Sequence, residues 1–196
     1  MNTAVDQIRS ETAADAFMAA MRNTVNCVAI VASQGAAGRA GITVSSMVSV
    51  SVEPPLVLVC INRSSPAHNV ICANGRFSIN VLGVQQRVLA DRFAGRGERP
   101  YEFDERTWTF DRSPMLTESA ARYDCEIYDA IPAGTHTVLI GRVRSSVAGE
   151  LEPLCYSGRE YVRAAALDPL STDSVLEQRW LQPKLAAVEN RNGRMS

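Results

Sequence analysis

Charge of either sign is not in surplus in this sequence: its 196 residues hold 20 basic and 21 acidic side chains, a net charge of −1. A general nucleic-acid binder carries a basic excess, so that class is excluded. Lysine is nearly missing, with Lys184 the only one, and there are two histidines. No apolar run approaches the roughly 20 residues of a membrane span. The opening MNTAVDQIRSETAADAF carries acids where a signal peptide has a basic stretch and an apolar core, so none is expected. The cysteines Cys27, Cys60, Cys72, Cys125 and Cys155 are odd in number, scattered and mostly inside apolar runs. That usage fits a reduced, cytoplasmic protein with structural thiols rather than a disulfide framework.

Known catalytic signatures are missing as well. There is no G-x-x-x-x-G-K-[ST] and no G-x-S-x-G. The glycine-rich Gln34–Gly41 segment lies between strand patterns with no helix after it, which makes it a hairpin loop rather than a phosphate cradle. His68 and Cys72 are four apart on a predicted helix, but two ligands do not make a zinc site. They read as helix packing, and no metal is expected.

What is present is an ordinary globular composition, 46% apolar and 21% charged. The length fits one domain of roughly 100–200 residues, taken here as residues 1–165. Beyond Ala165 the strand signals stop. Residues 166–196, with Pro169, Pro183 and one candidate helix at Ser174–Leu181, read as an arm or tail.

Residues 13–22 predict a short helix capped by Thr12, with Phe17, Met18 and Met21 on one apolar face. Strands follow at Cys27–Ala32, Ile42–Ser51 and Leu56–Ile61, with Glu53-Pro54-Pro55 breaking the second from the third. Ser65-Pro66 is the start of a helix that Gly75 is placed to end. Phe77–Leu82 is a strand and Gln85–Phe93 a helix. Residues 94–115 are loop-like. Tyr123–Tyr128 alternates, which turns Asp124 and Glu126 to water, and Thr137–Val143 is a longer strand. Leu154–Tyr161 reads as a hairpin. Many strands with few helices between them predict a mainly β protein: an antiparallel barrel whose ends are plugged or covered by short helices.

Three stretches carry candidate chemistry. Gly41–Ser51 holds five hydroxyls, which either bond one another and the backbone inside a barrel or present Thr43, Ser45 and Ser46 as a polar ligand edge. Asn62-Arg-Ser-Ser-Pro66 is either an ordinary capped helix or, with helix N–H groups, hydroxyls and an Arg together, a phosphate site. His136 opens the long strand after Gly134-Thr135, as a structural or a catalytic histidine.

Taken in order, GITVSSM, SVSVEPPLVLVCINRSS, FSINVL, QQRVLADRF, PML, GTHTVLIGRV and PLCYSGREY resemble the short-chain flavin reductases from about Met21 to Tyr161. The resemblance implies a split β-barrel of the FMN-binding kind. It implies an NADH- or NADPH-dependent reduction of FMN or FAD that supplies diffusible reduced flavin to a partner monooxygenase, and a homodimer. It places Thr43, Val44, Ser45 and Ser46 along the isoalloxazine. Cys60, Ile61, Asn62, Ser64 and Ser65 fall near the ribityl chain and phosphate, and Phe77, Asn80 and Leu82 beside the flavin. His136 falls near the nicotinamide, and the hairpin of Tyr156 and Tyr161 closes that pocket. Met47 stands where the family often has Phe, and Thr135 where it often has Asp, a departure that bears on any carboxylate orienting His136. The same barrel also suits a flavin carrier without turnover or a related split-barrel oxidase.

Overall fold

The computed structural model describes residues 3–96 and 103–167, with side chains from residue 12 onward. The chain divides into two units, Met1–Ala164 and Ala165–Ser196. The second reaches the described residues only at 165–167, so the expected arm and its helix at Ser174–Leu181 lie outside them.

Twelve strands and three α-helices make up the described residues. Helix α1 (Thr3–Met21) leads into β1 (Asn26–Cys27), β2 (Ala29–Gly35), β3 (Gly38–Val44), β4 (Val48–Val52) and β5 (Pro55–Asn62). Helix α2 (Pro66–Asn74) and β6 (Arg76–Val81) follow, then a 3-10 turn at Val84–Gln86, α3 (Arg87–Phe93), β7 (Trp108–Phe110) and β8 (Pro114–Leu116). The long hairpin of β9 (Ala121–Ala133) and β10 (His136–Ala148) precedes the short one of β11 (Leu154–Ser157) and β12 (Glu160–Arg163).

The main sheet has seven antiparallel strands in the order β3-β2-β6-β9-β10-β5-β4. Its two edge strands, β3 and β4, are consecutive in the chain. Laid flat, the edges of such a sheet would stand about 29 Å apart at the usual strand spacing. The chain leaves β3 at Val44 and enters β4 at Val48, a reach of at most about 14 Å. The sheet must therefore curl until its edges approach, with no ladder joining them. That is a split barrel, as expected.

β2 is buried on both faces, which is why Cys27–Ala32 is a continuous apolar run rather than an alternating one. Ala29 and Val31 face the barrel interior with Val59, Ile61, Phe77 and Leu139. Val28, Ile30 and Ala32 face a second core outside the barrel, built with Leu82, Phe93, Trp108, Leu116 and Leu154. Helix α3 is packed so tightly on β3 that a Cβ at Gly41 would stand 2.6 Å from the Phe93 ring.

Several expectations change. Helix α1 begins at Thr3 rather than at residue 13, because no Pro or Gly interrupts the residues before Thr12, which lies inside the helix instead of capping it. The Gln34–Gly41 loop shrinks to Ala36 and Ala37, since Gly35 and Gly38 already pair. The single strand expected over Ile42–Ser51 is split at Ser45–Met47 by the edge-to-edge crossing. Asp124, expected to face water, is buried, because Arg112 from the β7–β8 turn folds over it at 3.1 Å.

Candidate functional site

The crossing from β3 to β4 sets out the first group of site residues. The Thr43 hydroxyl donates to the Ala90 carbonyl of α3 at 2.7 Å. The Ser46 hydroxyl accepts from the Cys60 N–H at 2.9 Å and donates to the Cys60 carbonyl at 3.2 Å, replacing the ladder that the barrel lacks here. Both hydroxyls serve the fold. Ser45 is exposed, and its hydroxyl has no partner among the described residues. Of the three hydroxyls expected to form a ligand edge, this one is unspent among the described residues.

Beside it lies a cleft of about 130 Å³ lined by Val28, Thr43, Val44, Ser45, Ala94, Arg96, Tyr156 and Tyr161. Its far wall is the β11–β12 hairpin, whose two turn residues, Gly158 and Arg159, both take positive φ (60° and 69°), the hand that a two-residue hairpin turn needs. Tyr156 and Tyr161 are direct cross-strand partners with ring centroids 5.5 Å apart, edge to face. The Tyr161 hydroxyl donates to Asp91 of α3 at 2.8 Å. Burial, with that carboxylate second, pushes the Tyr161 phenol up to about 12. A hydrogen bond with Tyr156 raises the already basic Arg96, which stays charged at the cleft mouth.

The second group gathers where β5 meets α2. The Ser65 oxygen accepts from the Ala67 N–H at 3.3 Å, Pro66 takes the first helical position, and Gly75 ends the helix at φ 67°. Asn62 Oδ1 accepts from both the N–H and the hydroxyl of Ser64 at 2.9 Å. Arg63 docks this corner onto the β9–β10 turn: its N–H donates to the Thr135 carbonyl at 3.0 Å and its guanidinium to the Gly134 carbonyl. His136 therefore sits directly across the ladder from Asn62. Thr135 Oγ1 stands 2.9 Å from His136 Nδ1. One turn into α2, His68 Nε2 meets the Thr137 hydroxyl at 2.9 Å and Cys72 at 3.7 Å, the packing role read for that pair.

The structure thus brings Thr43, Val44 and Ser45 to Tyr156 and Tyr161, and sets Asn62, to which Ser64 and Ser65 are hydrogen-bonded, across from His136, with Ser46 on Cys60 as the joint. Ile61, Phe77, Asn80 and Leu82 are fully buried and do not line the cleft: Ile61 and Phe77 lie in the barrel core with Val44, and Leu82 in the outer core on which Tyr156 and Tyr161 pack. Asn80 spends its amide on the Ile30 carbonyl at 3.2 Å, the Ser78 hydroxyl at 2.9 Å and the Leu116 N–H at 2.9 Å. Sequence reasoning missed Arg96 and Asp91, whose partners Tyr156 and Tyr161 lie 60 and 70 residues away. Arg63 was read as part of the phosphate corner, but its bond to Gly134, 71 residues away, was not.

Residues 21–165 match the flavin reductase like domain. The FMN reductase (NADH) RutF of Methylorubrum populi is 37% identical over 151 residues, 76% of this chain and 75% of that protein. The corresponding protein of Variovorax paradoxus is 37% identical over 150 residues, 75% of this chain and 83% of that one. Among solved structures, flavin reductase PheA2 superposes with a TM-score of 0.71 at 27% identity, over 78% of this chain and 98% of its own. The styrene monooxygenase flavin reductase of Pseudomonas putida S12 does so with a TM-score of 0.69 at 25% identity, over 78% and 99%. With this domain over most of its length and a split barrel around the cleft, the chain belongs to the flavin reductase like family.

Proposed function

We propose that this flavin reductase takes a hydride from NADH, passes it to FMN, and releases the reduced flavin to a monooxygenase partner. The observation that carries the reading is the 37% identity with reductases named for that donor and that acceptor. The likeness to a styrene monooxygenase reductase supports the partner class.

The cleft supports a flavin edge by its chemistry. The unpartnered Ser45 hydroxyl and the backbone at the β3–β4 crossing offer donors to a ring edge. The N-terminus of α2, where Ser64 and Ser65 lie, offers N–H groups and a positive field to a phosphate. When bound, the flavin supplies a ring nitrogen that accepts the nicotinamide hydride directly, so the protein need provide no nucleophile. Its work is positioning and electrostatics. Donors at Ser45 hold the ring edge where negative charge develops. His136, held by Thr135, orients the donor's nicotinamide, and the Tyr156–Tyr161 wall keeps water off that face.

At about 130 Å³ the cleft is smaller than the roughly 300–1,000 Å³ of enclosed ligand sites. A homodimer supplies the missing wall. Phe17, Met18 and Met21 on α1 and Val48, Val50 and Val52 on β4 are exposed apolar side chains that a second copy would cover. No helix among the described residues is long and apolar enough to cross a membrane, and the five free thiols suit the cytoplasm. The domain is taken as residues 1–165, with 166–196 as an arm.

The test mixes the protein with NADH or NADPH and FMN or FAD in air and follows the nicotinamide band. Oxidation fastest with NADH and FMN is expected. Tight FMN binding without NADH oxidation would instead make the chain a flavin carrier. Sedimentation as a compact monomer at micromolar concentration would remove the dimer.

A further inference from the structure

Strands β1 and β11 place two thiols face to face. Cys27 and Cys155 are direct partners in the antiparallel ladder, although 128 positions apart in the chain. One step along, the Val28 N–H donates to the Leu154 carbonyl at 2.9 Å, while the Leu154 N–H donates to the Leu82 carbonyl at 2.8 Å. A bond from the residue after Cys27 to the residue before Cys155 is the one that flanks a pair not bonded to each other, so Cys27–Cys155 occupies the non-hydrogen-bonded position. At such a position Cα atoms are typically about 4.5 Å apart, with the two side chains close together on one face. That spacing falls within the roughly 4.4–6.8 Å that a disulfide spans. Both thiols are free, Cys27 half-buried and Cys155 buried. The neighbours in the chain are cleft residues: Val28 follows Cys27, and Tyr156 follows Cys155.

We propose that Cys27 and Cys155 are a reversible disulfide site, oxidised by the peroxide that the enzyme's own product generates. This rests on the flavin reductase reading for the source of oxidant, though not for the pair itself. Reduced flavin that escapes into water gives two electrons to dioxygen, yielding oxidised flavin and hydrogen peroxide. The more accessible Cys27 attacks one peroxide oxygen, the O–O bond breaks, and one water leaves as the sulfur becomes a sulfenic acid. Cys155 then attacks that sulfur and expels the second water. Two thiols and one peroxide become one disulfide and two waters, with every proton and electron accounted for. Burial, and then the neighbouring Cys155, push the Cys27 thiol up, so the reaction is slow and responds to accumulated peroxide rather than to traces. The bond would tie β1 to the hairpin that walls the cleft, and it closes a long loop in the unfolded chain, which raises the melting temperature.

The experiment treats the full-length protein with hydrogen peroxide and maps its peptides without reduction. A Cys27–Cys155 linked peptide is expected as the main product, lost on adding dithiothreitol, together with a rise of several degrees in Tm. Cys27→Ser and Cys155→Ser, checked for folding by circular dichroism, should show neither the peptide nor the rise. In a second arm NADH, FMN and air replace added peroxide, and catalase should abolish the linked peptide. No linked peptide under added peroxide, or only sulfinic acids and other cysteine pairs, overturns the proposal. A linked peptide under added peroxide but never while NADH is being consumed overturns the self-generated source. Absence of NADH consumption in that arm sinks the reductase reading and leaves the pair standing on the first arm.

Discussion

Strand β6 and the crossing at Ser45–Met47 treat their polar atoms in opposite ways. In β6, Ser78 and Asn80 are fully buried, and their side chains are bonded to the carbonyls of Ala32, Ile30 and Pro114. They pin the β7–β8 hairpin against the outside of the barrel. At the crossing, Thr43 and Ser46 are likewise bound to the fold, but Ser45 stands exposed with its hydroxyl unspent. Both segments lie in motifs that suggest flavin. The difference shows that such a motif mixes residues whose hydroxyls are spent on the barrel with one whose hydroxyl is left exposed, and that hydrogen-bond occupancy separates them.

The largest effects should come from β6 and should fall on stability alone. Phe77 fills the barrel interior so closely that a Cβ on Gly141 would stand 2.6 Å from its ring. Phe77→Ala should cost about 4 kcal/mol in chemical denaturation. Flavin affinity measured below the transition should hold within about twofold. A loss of flavin affinity exceeding the loss of stability would move β6 into the site and break the contrast.

At the other region the balance reverses. Ser65→Asp keeps a good N-cap, since Asp ranks with Ser at that position, so Tm should barely move. The new carboxylate repels a flavin phosphate by a few kcal/mol at an effective dielectric near 20, weakening FMN about a hundred-fold. Riboflavin, without the phosphate, should bind nearly as before. If both flavins weaken equally, or neither does, the Asn62–Ser65 corner is only a helix cap.

His136→Ala should raise the KM for the nicotinamide donor about tenfold, roughly 1.4 kcal/mol, with flavin affinity within about twofold. Equal injury to both would give His136 a purely structural role beside Asn62.

The smallest effect should belong to Tyr161→Phe, which removes one hydrogen bond to Asp91, about 1 kcal/mol of stability. It also has a pH signature. The folded-state pKa of Tyr161 is about 12 against about 10 for an unfolded tyrosine. The folded chain therefore holds this proton more tightly, and the contribution is complete below about pH 10 and fades as pH climbs toward 12. Urea midpoints should fall more steeply across that window for the native chain than for Tyr161→Phe. Parallel curves would show that the Asp91 contact does not anchor the hairpin.

Much of the fold was legible because its signals are local. Ser65, Pro66 and Gly75 bracket α2 as expected, each through the backbone freedom of one residue. Alternation located most of the strands, and their number without intervening helices was enough to predict the barrel. The segments of the candidate site are contiguous in sequence, but which of their hydroxyls stays unspent was not legible, since that depends on Ala90 and Cys60, remote in sequence from Thr43 and Ser46.

By itself, then, the sequence located most of the strands and helices, and for α2 both ends, because caps, turn residues and apolar period act within a few positions. It also determined the kind of chemistry on offer, hydroxyls and helix N–H groups with one well-placed histidine. Only the tertiary structure decided which faces are covered. Asp124 alternates outward and is buried because an arginine from another hairpin folds over it. Ile42–Ser51 alternates as one strand and is broken because two sheet edges must be joined. Cys27 and Cys155 look scattered and are opposed because β1 and β11 pair in that register. Register between distant strands is fixed by the summed burial of many side chains, which no short window of sequence contains.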